Sequence, residues 1–367
     1  MSTLRDAFAQ DRTRVDRATH DALVDVLDTL ELPDAAQPMA ATAIDSARSG
    51  KRFRGLLALL GGQLAPGLTD APVLEANLDL LAAALELYQA SALAHDDVID
   101  HAPTRRGRPT PHVRLSAIHR ESGWSGSAED FGTAGAILVG DLLFSAAERA
   151  MARQCAVLPR ANASAVMGRY TLMHAEVAMG QYLDVRAEQV PLDHEEAACV
   201  DVEAALKVIT HKSARYSVVH PAALGACAAG VSDDRIRVLE QVLTPWGIAF
   251  QLRDDDLGVF GDPATTGKPA GDDLVEGKRT VLLGLAWRHA SAAERALLAS
   301  GVGRADLSGQ MLDDVRTVVE ARGRGPHEAM IRDLVDEGDR VLATSGFCDD
   351  ARRVLAELSG VLTARDA

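Results

Sequence analysis

One arrangement constrains this chain more than any other, and it occurs twice. At His95-Asp96-Asp97-Val98-Ile99-Asp100 an apolar, helix-periodic run ends in three carboxylates, and His101-Ala102-Pro103-Thr104-Arg105-Arg106-Gly107-Arg108 follows at once. At Phe250-Gln251-Leu252-Arg253-Asp254-Asp255-Asp256 a second run ends in acid, followed by a glycine-rich loop carrying Lys268 and Lys278. On a helix, Asp96 and Asp100 share a face. Carboxylates at the C-terminal end of a helix also oppose its dipole, so something cationic belongs between them. Hard oxygen donors suit Mg²⁺, which takes one or two carboxylates and fills its shell with water and substrate phosphate. The arginines just downstream can meet phosphate bidentately. Acid for a metal beside base for a phosphate reads as a diphosphate site, whereas either copy alone could be a solvated helix end. Two such ends facing each other across a cavity would hold several Mg²⁺ ions and one diphosphate.

The rest of the chain must then be helical. Aromatic residues are only 4% against 47% hydrophobic, so the core rests on Ala, Leu and Val, which favours close-packed helices over sheets. Apolar spacing predicts helices over residues 3–30, 37–48, 72–100, 132–152, 161–188, 198–230 and 232–260, with 280–363 helical as well. Residues 101–130 read as a loop, Pro221 as a kink, and no segment alternates like a strand. No linker splits the chain. The expectation is an all-α single domain, 1–367, of long, mostly antiparallel helices around a central cavity.

Charge narrows the function. A net charge of −15 argues against nucleic-acid binding, which wants a basic face. An anionic substrate would need locally clustered bases to overcome that field. Of 38 basic residues only five are lysine: Lys51, Lys207, Lys212, Lys268 and Lys278. Where arginine is the default, a retained lysine marks a need for a compact ammonium. Lys51 lies in Gly50-Lys51-Arg52-Phe53-Arg54-Gly55, a basic turn entering an apolar helix and a candidate phosphate seat. The scattered Cys155, Cys199, Cys227 and Cys348 have no zinc or disulfide spacing, which suits a reducing cytoplasm. The charged N-terminus lacks a signal core, and no uninterrupted apolar run suggests a transmembrane helix.

Taken in order, these motifs resemble the trans-polyprenyl diphosphate synthase family, the head-to-tail isoprenyl chain-elongating enzymes. The resemblance runs from about 45 to 280. It is carried by Gly50-Lys51-Arg52-Phe53-Arg54, the DDxxD at Asp96 with Arg105-Arg106-Gly107, Gly140-Asp141, Gly180-Gln181 with Asp184, Lys212-Ser213, Phe250-Gln251 with Asp254-Asp255, Gly267-Lys268, and Lys278. It implies that Lys51, Arg54, Gln89 and Arg106 bind the diphosphate of isopentenyl diphosphate. Arg105, Lys212, Lys268 and Lys278 would hold the allylic diphosphate (dimethylallyl, geranyl or farnesyl). Asp96, Asp100 and Asp254 would bind Mg²⁺, supported by Asp97 and Asp255. Ser213 and Gln251 would face the allylic carbon as charge develops, and with Lys212 they are the implied catalytic residues. A homodimer is implied too. His95, His101 and His112 read as structural or supporting groups.

Three positions depart from the family pattern. The second acidic motif has Gly258 where a third Asp is usual, and its extra carboxylate, Asp256, falls elsewhere on the helix. Gly55 stands where Pro is usual, and Ser213 where Thr is commoner. Activity is still expected, with altered metal affinity.

Product length is expected to be set on the helix before Asp96. Shorter-product relatives carry aromatics four or five positions upstream, where this chain has Ala92 and Ser91. Tyr88, about two turns before Asp96, is the first bulky side chain and would floor the pocket about one isoprenyl unit deeper. That predicts the twenty-carbon geranylgeranyl diphosphate, with farnesyl or longer products as alternatives. A class I terpene cyclase would want an Asn/Ser/Glu metal motif and no isopentenyl site. A non-catalytic regulatory subunit would have lost metal-site acids, and Gly258 is the sole hint of that. A head-to-head synthase would use DxxxD spacing.

Overall fold

The computed structural model describes residues 4–48, 50–197, 199–262, 270–304 and 306–363. Sixteen α-helices are numbered here among those residues: α1 (Leu4–Thr29), α2 (Gln37–Ala47), α3 (Phe53–Leu68), α4 (Asp79–Ile99), α5 (Pro111–Glu121), α6 (Ala128–Ala156), α7 (Arg160–Gln189), α8 (Val202–Val208), α9 (His220–Ala228), α10 (Asp233–Phe260), α11 (Asp272–Glu276), α12 (Val281–His289), α13 (Ala292–Gly301), α14 (Gly309–Val319), α15 (Gly325–Thr344) and α16 (Asp349–Thr363). The fold is all-α, as expected. The chain forms two compact units, Met1–Arg169 with Pro221–Asp233, and Tyr170–His220 with Asp234–Ala367.

The first unit is built around α4. Leu81, Ala82, Ala83, Ala84, Leu85 and Leu87 are fully buried, so this helix is apolar on every side and must be surrounded. It packs against α1, α3 and α6. Where α3 meets α9, glycine allows backbone contact: a Cβ at Gly61 would reach Ala222 Cα at 3.0 Å, and one at Gly225 would reach Gly62 N at 2.8 Å. The side chain of Ser127 caps α6 by accepting from Asp130 N at 3.0 Å, and Glu129 and Asp130 in its first turn suit the dipole. Sequence reading expected no membrane span. Among the described residues α6 is one helix long and apolar enough to cross a membrane, though it packs on α4 and α5 here.

In the second unit, α12 is the buried helix. Val281, Leu282, Leu283, Ala286 and Trp287 have almost no exposure. The side chain of Thr280 caps α12 by accepting from Leu283 N at 3.2 Å, and Ser291 and Glu294 form a capping box at α13. Trp287 and Trp246 each donate an indole N–H to a backbone carbonyl, Glu196 O and Val335 O, so their burial leaves no polar atom stranded.

Four expectations need correction. Residues 101–130 are not a continuous loop: α5 occupies Pro111–Glu121, with Pro at its first turn, and α6 begins at Ala128. A short antiparallel ribbon, β1 (Thr104–Arg105) and β2 (Arg108–Pro109), pairs Thr104 with Pro109 and Arg105 with Arg108. Its turn residues Arg106 and Gly107 both have positive φ, 53° and 73°, as a tight hairpin requires. Helix α4 starts at Asp79 rather than residue 72. The helix expected over 198–230 is α8, a π-helical segment Ile209–Val219, and α9. The π-segment closes with His220 N–H donating to Arg215 O, five residues back, directly before Pro221. Proline cannot supply its own N–H, and the wider turn absorbs the break.

Candidate active site

The basic turn at the start of α3 divides its three cations by burial. Arg52 is 4% exposed, with a positive φ of 54°. It donates to Asp16 Oδ1 at 2.5 Å and Ala47 O at 2.7 Å, and lies 3.7 Å from Glu86 Oε2. It therefore holds the turn, while Lys51 is exposed and Arg54 half-buried. Glu86 also accepts the Gly55 N–H at 2.9 Å. Proline at 55 could not make that bond, which explains this departure from the family pattern. Arg106 approaches the same turn: a Cβ at Gly50 would lie 3.2 Å from its Nη1. Desolvation, then the positive charges of Arg105, Arg52 and Arg54, push the Arg106 pKa down. Such crowded guanidiniums raise the local positive potential.

At the end of α4, Asp97 is 2% exposed and accepts from Arg105 Nε at 2.5 Å, while Asp96 Oδ2 lies 3.2 Å from Arg105 Nη2. Against the cost of its own burial, Asp97, Asp96 and Asp100 hold the Arg105 pKa up. All three acids of the motif thus act on one guanidinium. His101, with φ 52°, turns the chain sharply after Asp100. His95 lies against Gly140: a Cβ there would come within 2.7 Å of His95 Cε1, so Gly140 lets α6 approach α4. His95 Nε2 is 3.2 Å from Ile137 O and 3.5 Å from Asp141 Oδ1. The Gly-Asp pair of the sequence is a docking device for that histidine.

Further up α4, Tyr88 is 7% exposed and meets the Phe144 ring edge-on, centroids 5.9 Å apart. Burial, opposed by Arg54 and reinforced by Glu148, raises the phenol pKa well above its ordinary value. Ser91 is 2% exposed, and Ala92 and Gln89 are half-buried on the same helix.

The second unit holds a matching group. Lys212 in the π-segment pairs with Asp184 of α7. A Cβ at Gly180 would lie 2.5 Å from Lys212 N, so glycine lets α7 touch that backbone. The Gly180-Gln181 motif with Asp184 is thereby explained as the seat of Lys212; Ser213 follows, half-buried. Glu176 of α7 fixes the segment's far end, accepting from Arg215 Nε at 2.9 Å with its Oε2 2.8 Å from His220 Nε2. Burial raises the Glu176 pKa, but the His220 and Arg215 contacts outweigh it and bring it to about 2.

That lowered pKa sets a pH dependence. Stability from Glu176 is complete above its ordinary pKa of 4.5 and is lost as pH falls toward 2. The contribution is at most about 3 kcal/mol, reduced by partial solvent access. Thermal melts of wild type and Glu176→Gln should differ most at neutral pH and converge in acid.

At the end of α10 the acids separate. Asp254 is exposed. Asp255 is 7% exposed; its Oδ1 accepts from Gln251 Nε2 at 2.9 Å, and its Oδ2 has no hydrogen-bond partner among the described residues. Burial first, then Asp273, Asp254 and Asp184, push the Asp255 pKa well above the usual carboxylate range. Asp256 turns away, 3.2 Å from Arg324 Nε. Lys278 reaches Glu276 Oε2 at 2.5 Å and Asp273 Oδ1 at 3.8 Å. Its loop is held by Arg279, which donates to the carbonyls of Gly277, Glu188 and Val190. Lys268 lies outside the described residues. Sequence reasoning gave no site role to Phe144, Asp184 or Asp273. Asp184 was visible as a motif member; Asp273 and Phe144 carried no signal of their own.

The donor set fits Mg²⁺: carboxylate oxygens only, one of them, Asp255 Oδ2, buried without a partner among the described residues. Among the described residues no three His, Cys, Asp or Glu side chains form a ready metal group. Mg²⁺ does not demand one, because it draws on few protein ligands and keeps water and phosphate.

Comparison with known proteins agrees. The polyprenyl synthetase family model matches residues 37–320. A geranylgeranyl pyrophosphate synthase from Corynebacterium glutamicum, solved with isoprenyl diphosphate and magnesium, is 36% identical with a TM-score of 0.84; the match covers 96% of this chain and 99% of that one. A geranylfarnesyl diphosphate synthase from Aeropyrum pernix is 34% identical, covering 67% of this chain and 69% of the relative. A geranylgeranyl diphosphate synthase from Mycobacterium tuberculosis is 32% identical, covering 76% and 70%. The chain belongs to the polyprenyl synthetase family. It is a prenyltransferase of isoprenoid biosynthesis that elongates prenyl chains.

Proposed function

We propose that this enzyme joins isopentenyl diphosphate head-to-tail to an allylic diphosphate and releases chiefly geranylgeranyl diphosphate. The observation that carries this reading is the sorting of charge within each unit. Arg105 stands on Asp97 and Asp96, and Lys212 and Lys278 stand on Asp184, Asp273 and Glu276. Cations kept that close to acids are poised to pass to a diphosphate as metal takes the carboxylates.

Asp96, Asp100 and Asp254 are the proposed Mg²⁺ ligands, with Asp97 and Asp255 behind them. Mg²⁺, when bound, would draw electrons from the allylic diphosphate and favour loss of its C–O bond. Arg105, Lys212, Lys268 and Lys278 hold that diphosphate as its charge grows. Lys51, Arg54 and Arg106, with Gln89, hold isopentenyl diphosphate so that its double bond meets the allylic carbon. The oxygens of Ser213 and Gln251 face the carbon as positive charge develops, while Lys212 beside them acts on the departing diphosphate. Catalysis is positioning plus electrostatics, with no protein nucleophile. The product length follows from Tyr88 closing the pocket below Ser91 and Ala92. The enzyme acts as a cytoplasmic homodimer, with several Mg²⁺ ions per site, and the whole chain serves this one activity.

The test is pyrophosphate release from each allylic starter with and without isopentenyl diphosphate. Release should require both isopentenyl diphosphate and Mg²⁺, and should cease with EDTA. Release from the allylic starter alone, with a cyclic hydrocarbon formed, would identify a cyclase instead.

A further inference from the structure

Glu176, Gly180 and Asp184 follow one another at helical spacing and form one stripe along α7. The π-helical segment Ile209–Val219 runs against that stripe in the opposite direction. Lys212 pairs with Asp184. A Cβ at Gly180 would lie 2.5 Å from Lys212 N and 2.7 Å from its Cα. Glu176 Oε2 accepts from Arg215 Nε at 2.9 Å and lies 2.8 Å from Nε2 of the buried His220. The stretch 184 to 176 of α7 is thus matched, contact by contact, by the stretch 212 to 220.

α10 presses on the same segment. A Cβ at Gly247 would lie 3.0 Å from Ala214 O and 3.4 Å from Ala214 Cβ. Both glycines meet backbone, which cannot swing clear as a side-chain tip can. The segment is therefore touched at Lys212 by α7 and at Ala214 by α10, on either side of Ser213. Glycine admits a neighbour but gives it nothing to catch on, and a π-helix is a rare winding that needs its surroundings to hold it. Register must come from side chains, and these tie the segment at two places. One is Asp184 with Lys212, which the proposed reaction has to release so that the ammonium can reach the diphosphate. The other is Glu176 with Arg215 and His220, which nothing in that reaction releases.

We propose that Glu176 is a positioning residue: through Arg215 and His220 it holds the register of the π-helical segment while Lys212 leaves Asp184 for the allylic diphosphate. The inference rests on the function proposed above. Charge and position give opposite signs for Glu176→Gln. Removing a negative charge would by itself favour binding of an anion, whereas lost register weakens it.

The experiment compares full-length wild type, Glu176→Gln, Arg215→Gln, Lys212→Met and the double variant Glu176→Gln/Lys212→Met. Steady-state condensation is measured, together with calorimetric binding of a non-ionising thio analogue of the allylic diphosphate with Mg²⁺. Ser291→Ala, which loses the capping box of α13, is the stability control, and all work is done at a temperature where melts show every protein folded. Glu176→Gln should lower kcat roughly 10–100-fold and weaken analogue binding as well. Its KM for isopentenyl diphosphate, whose proposed cations belong to the other unit, should stay within about twofold of wild type. In the Lys212→Met background the same substitution should cost no more than about twofold, because the two residues act as one. If Glu176→Gln does not fold, Arg215→Gln, which keeps the His220 contact, is read by the same criteria. Wild-type kcat with unchanged or tighter analogue binding, equal losses with and without Lys212, or the same loss in Ser291→Ala would overturn the inference and leave the proposed function standing. A wild type that forms no condensation product would overturn both.

Discussion

Asp96→Asn should lower kcat roughly 10³-fold or more, a loss of at least about 4 kcal/mol of transition-state stabilisation. The substitution keeps shape and removes charge. Asp96 Oδ2 lies 3.2 Å from Arg105 Nη2, so the same change also loosens the guanidinium proposed to receive the allylic diphosphate. Asp256→Asn provides the contrast. It sits in an acidic run of the same kind, but its carboxylate faces Arg324, whose guanidinium also lies 4.7 Å from the Phe260 ring centroid. Losing that charge should cost about 1–2 kcal/mol of stability, discounted because Arg324 is partly exposed, and change kcat only a few-fold. Steady-state kinetics with thermal melts of both variants separate the roles. Equal rate losses in the two would mean that position within the motif does not decide function.

Tyr88→Ala should move the main product from twenty carbons to twenty-five or more. The phenol is buried and fixed by the Phe144 ring, so truncation opens space at a defined depth instead of letting a flexible side chain swing back. Phe144→Ala should lengthen the product too, and less, because it removes the support and leaves the floor. The rate with short starters should change little, since neither ring bears on the diphosphates. Product distributions by mass spectrometry read this directly. An unchanged twenty-carbon product in Tyr88→Ala would remove Tyr88 as the floor. The cavity cost, about 3–5 kcal/mol for a fully buried ring, should appear in melting curves.

The helical fold was readable from the chain because its core is made of Ala and Leu at helical spacing, as α4 displays. The acidic helix ends were readable because doubling is hard to produce by chance. Elements set by backbone geometry were not. Nothing local distinguishes Ile209–Val219 as π-helical; Pro221, whose missing N–H leaves a carbonyl about one turn upstream unbonded, marks only where the segment ends. The ribbon at Thr104–Pro109 rests on positive φ at Arg106, a residue with no turn signal. α5 was hidden because Pro111 and the arginines around it read as loop, while Pro at a first helical turn is favourable. Within the site, single residues were legible only where chemistry chose them. Lysine among arginines marked Lys51, Lys212 and Lys278. Gly140, Gly180 and Gly258 looked alike in sequence and do different work: two admit a neighbouring helix or segment, and the third faces the tip of the Asp273 carboxylate.

The central claim is that this chain elongates an allylic diphosphate to twenty carbons with Mg²⁺. Purified protein incubated with isopentenyl diphosphate, Mg²⁺ and dimethylallyl, geranyl or farnesyl diphosphate, with products sized by mass spectrometry, tests it most directly. Geranylgeranyl diphosphate should accumulate from at least one starter and be absent with EDTA; no elongation from any starter would contradict the account.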